Sequence, residues 1–201
     1  TPPATVPRNW ATCWEPAVTA TVFLIQTLFG FYILAVMLRF LLQCVRADFY
    51  NPLVQFLVRI TNPPLLPLRR IIPGCRGLDL ASIILAFVLQ GVEVLLVTLL
   101  LGRPAGVGGL LLLTVAELLK LLINIYLWGV VIQAVLSWFN PDPHHPAARV
   151  LAQLTAPVLR PARRVLPPIS GVDLSPMLVV VALIFISLLL QDLLGLWIGL
   201  R

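Results

Sequence analysis

The chain has 201 residues, of which 60% are hydrophobic and only 11% charged, and its mean hydropathy is +1.01. A water-soluble domain typically carries about 25% charged residues, so this composition excludes a fully water-facing surface and makes the bilayer the fitting solvent. The net charge of +6 comes from basic residues set between apolar stretches. That excludes the exposed basic face with stacking aromatics that nucleic acid requires and leaves anionic phospholipid as the suitable partner.

Taken in chain order, residues 1–16 form an N-terminal segment, 17–101 a first unit, 102–109 a hairpin and 110–201 a second unit. The opening Thr1-Pro2-Pro3 has no basic stretch followed by a short apolar run. It is not a signal peptide; a start on Thr is expected from removal of an initiator Met, and the first span is expected to act as its own insertion signal. Crossing about 30 Å of hydrocarbon takes roughly 20 apolar residues in a helix. Four stretches qualify: Ala17 to Leu38, uncharged; Leu80 to Leu101, with Glu93; Leu110 to Phe139, with Glu117 and Lys120; and Leu174 to Leu200, with Asp192. Between the first two, Leu53, Phe56, Leu57 and Ile60 recur at helical spacing opposite Gln55 and Arg59, which predicts an amphipathic helix in the membrane interface.

Arginine placement orients the chain. The 1–2 and 3–4 connections hold Arg46, Arg59, Arg69, Arg70, Arg76, Arg149, Arg160, Arg163 and Arg164, against Arg8, Arg103 and Arg201 on the other side. The positive-inside rule then places both long connections in the cytoplasm and both termini outward. Trp10, Trp14, Trp138 and Trp197 fall near span ends, where amphipathic rings settle at headgroup level.

At a constant offset of 94, residues 51–80 match 145–174 with twelve identities in thirty positions. The shared motif reads T-x-P-x-L-x-P-x-R-R-x-x-P-x-x-x-G-x-D-L. It comprises Thr61, Pro63, Pro67, Arg69, Arg70, Pro73, Gly77 and Asp79 in the first copy, and Thr155, Pro157, Pro161, Arg163, Arg164, Pro167, Gly171 and Asp173 in the second. Tyr32/Tyr126 and Asp48/Asp142 extend the register. Apolar helices share Leu by composition; they do not share Pro, Arg, Gly and Asp in register. Both units enter the membrane in the same sense, so a pseudo-two-fold axis along the membrane normal is expected. Thr61 and Thr155 are expected to cap short helices with Pro63 and Pro157 in the first turn. Pro67, Pro73 and their counterparts are expected to stop one long helix from forming. Gly77 and Gly171 suit turns, and Asp79 and Asp173 N-caps of the second and fourth spans. For the Arg pairs two readings stand open: snorkelling to headgroups, or one Arg of each pair binding the Asp of its own or the other unit.

This doubled motif resembles the YggT family of small bacterial membrane proteins, with YlmG-type relatives in Gram-positive bacteria, cyanobacteria and plastids; the likeness covers nearly everything after Ala17. The resemblance implies an all-α, non-enzymatic membrane protein of four spans in two parallel two-helix repeats, each with short interfacial amphipathic helices between its spans. It also implies links to osmotic tolerance, to organisation of division or nucleoids and, in plastids, to maturation of cytochrome b-type haem. It supplies no catalytic residue.

Other chemistry is sparse. The three cysteines form no C-x-x-C, and Cys13 is expected across the membrane from Cys44 and Cys75. His144 and His145 are adjacent in a Pro-rich loop and read as solvated side chains. No cofactor or metal is expected, and an enzyme is not. The intramembrane polar residues are the functional candidates. Glu117, Lys120 and Asn124 share a helix face, and Glu93, Asp192 and Gln26 fall at a similar depth. Glu93 and Lys120 are expected to face each other between the second and third spans. Such a layer serves either structural pairing and partner contact or an ion or proton route; because Glu93 aligns with Ser187 and Asp192 with Thr98, a symmetric pore is disfavoured. Two functions follow. One is a scaffold or assembly factor that binds other integral membrane proteins or anionic phospholipid, with a homo-oligomer compatible. The other is a small ion or proton conduit.

Overall fold

The computed structural model describes residues 11–71, 79–102, 106–138, 145–166 and 173–198, and all of their regular structure is helical. Six helices follow one another: α1 (Ala11–Cys44), α2 (Pro52–Ile71), α3 (Leu80–Leu100), α4 (Val107–Trp138), α5 (Pro146–Val165) and α6 (Ser175–Ile198). Four are long and apolar enough to cross a membrane, over Val18–Cys44, Leu80–Leu100, Val107–Ser137 and Ser175–Gly195. Their flanks remain largely uncovered by protein, with Phe23 69%, Phe31 70% and Phe185 61% exposed. Large contiguous apolar surface of this kind is stable only against an apolar solvent or partner.

The repeat is visible in the elements. The ends of α1 and α4 are 94 residues apart, as are both ends of α2 and α5. Within each unit the two spans pack together and the amphipathic helix packs on both: α1 with α3, α4 with α6, α2 on α1 and α3, α5 on α4 and α6. Between units the symmetry is incomplete. α3 packs on α4, its hairpin neighbour, while α1 and α6 do not pack on each other among the described residues. The 34 residues of α1 and 32 of α4 make helices of roughly 50 Å, longer than the hydrocarbon requires. Their last turns carry α2 and α5. There Leu41, Leu42, Val54, Ile125 and Leu154 form a buried cluster drawn from α1, α2, α4 and α5, and so tie the two units together.

The region between the spans differs from expectation in one respect. α2 and α5 are each one helix of 20 residues, with Pro63, Pro64 and Pro67 inside α2 and Pro157 and Pro161 inside α5. Thr61 and Thr155 are therefore mid-helix residues, not caps. The cap of α2 lies ten residues earlier: Asn51 Oδ1 accepts the Leu53 N–H at 3.0 Å, with Pro52 in the first turn, where its missing N–H leaves nothing unsatisfied. An internal proline leaves the carbonyl four residues back without its helical donor. For Pro64 that carbonyl is Ile60, and the Tyr32 hydroxyl of α1 donates to it at 3.4 Å. Packing against the span thus offsets the sequence signal for a break. Pro73, Gly77, Pro167 and Gly171 lie outside the described residues, as do Trp10, Cys75 and His144 and the side chains of Cys13, Trp14, Trp138 and Trp197.

The first span also runs past its expected end at Leu38, through Arg39 to Cys44. It stops in a Schellman arrangement. Arg46 N–H donates to Gln43 O at 3.1 Å and Ala47 N–H to Leu42 O at 2.8 Å, with Arg46 in the left-handed region at φ 52. Glycine is the usual residue there, and a side chain costs about 1–2 kcal/mol. The α3–α4 hairpin is shorter than 102–109: Gly102 takes the left-handed position at φ 63, and Gly108 and Gly109 already belong to α4.

Candidate functional site

The repeated motif fastens each amphipathic helix at two points. At the first, the threonine hydroxyl meets a polar side chain of the preceding span. In the first unit Arg39 Nη1 donates to Thr61 Oγ1 at 2.7 Å and to Val58 O at 3.3 Å. Arg39 is 7% exposed and Thr61 fully buried. In the second unit Thr155 bonds Gln133, the residue 94 positions after Arg39. Both threonines also donate to the carbonyl four residues back, Leu57 at 2.6 Å and Leu151 at 2.8 Å. Neither Arg39 nor Gln133 belongs to the repeated motif, and Arg39 lies just beyond the uncharged stretch that ends at Leu38. The available signal was a polar residue 22 positions before each motif threonine.

At the second point, Arg69 forms an ion pair with Asp79 and Arg163 Nε pairs with Asp173 Oδ2 at 2.9 Å, each within its own unit. Arg70 and Arg164 are exposed and belong to none of the described ion pairs. The two arginines of each pair thus divide the roles: the first ties the helix to the start of the next span, and the second is free to reach a surface. The aspartates do not cap alike. Asp79 stands at the N-cap position, but its carboxylate makes no cap bond; it accepts from Arg69 and from the Ser82 hydroxyl at 2.6 Å. Asp173 sits one residue before the N-cap of α6, and its Oδ1 accepts the Ser175 N–H at 2.9 Å. Burial raises the pKa of each, and this is outweighed by the hydrogen bonds and positive charge around it. Arg69 and Ser82 for Asp79, and Ser175 and Arg163 for Asp173, bring both below the usual value of 3.8.

Side chains also bridge the units. Asn51 Nδ2 donates to Pro146 O at 2.8 Å and the Asp48 N–H to Gln153 Oε1 at 3.3 Å, while Asp48 and Arg149 approach to 3.8 Å. These bonds set α2 and α5 as one polar-laced platform. His145 occupies the N-cap position of α5 and its side chain makes no cap bond.

The intramembrane polar residues partly converge. A cavity of about 300 Å³ has walls from all four spans, including Gln90 and Glu93 of α3, Glu117, Lys120 and Asn124 of α4, and Ser187 and Gln191 of α6. The expected Glu93–Lys120 pair is not formed. Lys120 Nζ binds Glu117 Oε1 at 3.0 Å, three residues back on its own helix, where no interhelical reach is needed. Glu93 instead accepts from Gln90 Nε2 at 3.1 Å. Gln26 and Asp192 are exposed and do not line the cavity. Depth along the axis was legible, direction around it was not: Asp192 follows cavity-lining Gln191 and so points about 100° away, and Gln26 lies a turn beyond Gly30. Among the described residues no group of three His, Cys, Asp or Glu side chains comes together.

Comparison with known proteins places this architecture. The CCB3/YggT family pattern matches twice, over residues 18–100 and 112–194, two segments whose starts are 94 residues apart (112 − 18), the offset of the internal repeat. A Pseudomonas aeruginosa protein is 44% identical over 175 residues, covering 85% of this chain and 88% of its own. A Vibrio alginolyticus protein named for the proC 3' region is 40% identical over 175 residues, 86% of this chain and 94% of its own. The YggT protein of Escherichia coli K12 is 35% identical over 189 residues, 89% of this chain and 97% of its own. No solved structure matches the chain significantly. With two tandem family segments spanning most of its length, this integral membrane protein belongs to the CCB3/YggT family.

Proposed function

We propose that the protein is a non-enzymatic scaffold, an assembly or stabilising subunit of larger complexes in the bacterial inner membrane. Its long connections face the cytoplasm and both termini face outward. Its partners are other integral membrane proteins and anionic phospholipid, and a homo-oligomer is compatible with the same surfaces. The observation that carries this reading is where the polar groups go. The buried ones, Arg39, Asn51, Thr61, Asp79 and Thr155 among them, fasten α2 and α5 to the spans and to each other. The apolar flanks of α1 and α6 are left uncovered for lipid or a neighbouring helix. Purification from native membranes in mild detergent tests it: a defined set of membrane proteins is expected at fixed ratio to the chain. Recovery of the chain alone from several detergents would sink the scaffold.

A second reading, a small ion or proton conduit linked to osmotic tolerance, draws on the polar cavity between the four spans. Flux into liposomes carrying the purified chain separates the two. A conduit passes ions or protons and loses that flux in Glu117→Gln; a scaffold passes none.

A further inference from the structure

We infer that the first repeat holds one specific binding site for a phosphate-bearing anion, and that its occupant is the headgroup of an anionic phospholipid. The site is an open cavity of about 340 Å³ between the end of α1 and α2, whose lining includes Arg39, Arg46 and Arg69 together with Leu57, Val58 and Phe49. Three arginines line this space, and the ion pair described among them is that of Arg69 with Asp79, whose carboxylate also accepts from Ser82. Arg39 forms no ion pair among the described residues; its recorded partners are the neutral Thr61 hydroxyl and the Val58 carbonyl. The cavity therefore carries surplus positive charge, buried at Arg39 and exposed at Arg46, which a planar guanidinium satisfies best with a phosphate or carboxylate oxygen pair.

Two observations separate this from arginines placed only for topology. First, Arg46 stands at the left-handed position that ends α1, at φ 52, where Gly or Asn is at ease. Its side chain is not needed to close the helix end, because the Val45, Arg46 and Ala47 N–H groups already bind the Leu41, Gln43 and Leu42 carbonyls. Second, the site is not repeated. Ninety-four residues on, Arg39 becomes Gln133 and Arg46 becomes Asn140, while Arg69 remains as Arg163. The shared arginine is the one that binds the aspartate of the fold; of the two that differ, Arg46 is one whose side chain the helix end does not use, and Arg39 gives way to a neutral amide that still meets the motif threonine. The apolar lining residues favour a lipid over a free ion, since they offer an acyl chain a surface in the same cavity as the arginines.

This inference rests on the lipid-binding half of the proposed function, not on scaffolding. The experiment is native mass spectrometry of the full chain in detergent, titrated separately with dioleoyl phosphatidylglycerol, dioleoyl phosphatidylcholine and inorganic phosphate. One phosphatidylglycerol per chain is expected to be retained, with about a tenfold preference over phosphatidylcholine, as for the loss or gain of one charge-assisted contact. Arg39→Gln and Arg46→Asn, which install the second repeat's residues, are each expected to erase that preference. Arg160→Gln, at an exposed position on α5, is expected to leave it intact. If Arg39→Gln fails to fold, Arg46→Asn decides alone, since its side chain is exposed and Asn suits the turn. Displacement of the lipid by millimolar phosphate assigns the site to a free phosphate-bearing anion; retention assigns it to the headgroup. Equal binding of the two lipids, or an Arg46→Asn chain that behaves as Arg160→Gln does, overturns the site. Intact lipid selectivity in a chain that co-purifies with no partner would remove the scaffold and leave the site standing.

Discussion

At the scale of single residues, Asp79 and Asp173 occupy one motif position in two environments, which makes them a controlled comparison. The Asp79 side chain is 5% exposed and shared by Arg69 and Ser82; that of Asp173 is 33% exposed and its partner Arg163 50%. Hydrogen bonds to a desolvated charge are worth roughly 1.5–3 kcal/mol, and solvent-exposed pairs about 0.2–1 kcal/mol. Asp79→Ala is therefore expected to lower thermal stability in detergent clearly more than Asp173→Ala. Equal losses would mean that burial does not set the strength of the tie. The pH dependence has a definite sign. The pKa of Asp79 lies below the 3.8 of the free group, so its stabilisation is complete above that value and lost as pH falls through the lower folded one. Acid titration of the melting temperature is expected to show a decline below about pH 4 that is shallower in Asp79→Ala. The identities of these residues were legible in the sequence because the repeat puts Arg and Asp ten apart twice. Which Arg of each pair would turn inward was not, because adjacent helical residues point about 100° apart and only the packed neighbours decide between them.

Among the elements, α2 and α5 are where sequence and structure diverge most. Thr-x-Pro is a sound start signal for a helix in water, and here it sits in the middle of one. The reason is that the threonine hydroxyl, instead of capping, bonds the preceding span, and the Ile60 carbonyl that Pro64 leaves without a helical donor accepts from Tyr32. The close approach this requires is seen at Gly129 of α4, where an added Cβ would lie 3.2 Å from Thr155 Cγ2. Arg39 and Gln133 make the two threonine ties chemically unequal. Thr61→Val removes the hydroxyl from a buried guanidinium, a loss of roughly 1.5–3 kcal/mol. Thr155→Val removes it from a neutral amide, where about 0.5–1.5 kcal/mol is typical. Melting of both variants in detergent is expected to rank Thr61→Val as the more damaging, and Arg39→Leu combined with Thr61→Val to cost less than the two separate losses added. Additive losses would mean that Arg39 and Thr61 do not act as a pair.

For the molecule as a whole, the span count, the repeat and the tandem order were legible because hydropathy and a constant offset survive without any knowledge of packing. The breaking of symmetry was not. α3 and α4 pack through their hairpin while α1 and α6 stay apart, so the polar cavity draws Glu93, Glu117 and Lys120 from the inner pair of spans and only Ser187 and Gln191 from α6. Orientation in the membrane is set by a different quantity, the arginine balance, and can be checked independently of the fold. The two long connections carry nine arginines against three on the other side, and translocating Arg-rich loops is disfavoured. Tyr50 is 86% exposed in the first connection, Ala152 is exposed on α5 and Gly106 is exposed in the α3–α4 hairpin with no atom near an added Cβ. In a chain whose native cysteines are replaced by serine, Tyr50→Cys, Ala152→Cys and Gly106→Cys report the two sides without disturbing the core. A membrane-impermeant maleimide added to intact spheroplasts is expected to label position 106 and to reach 50 and 152 only after lysis. Labelling of 50 or 152 before lysis would reverse the orientation. It would then place the cation-lined cavity and the α2–α5 platform on the outer face, where cytoplasmic partners could not reach them.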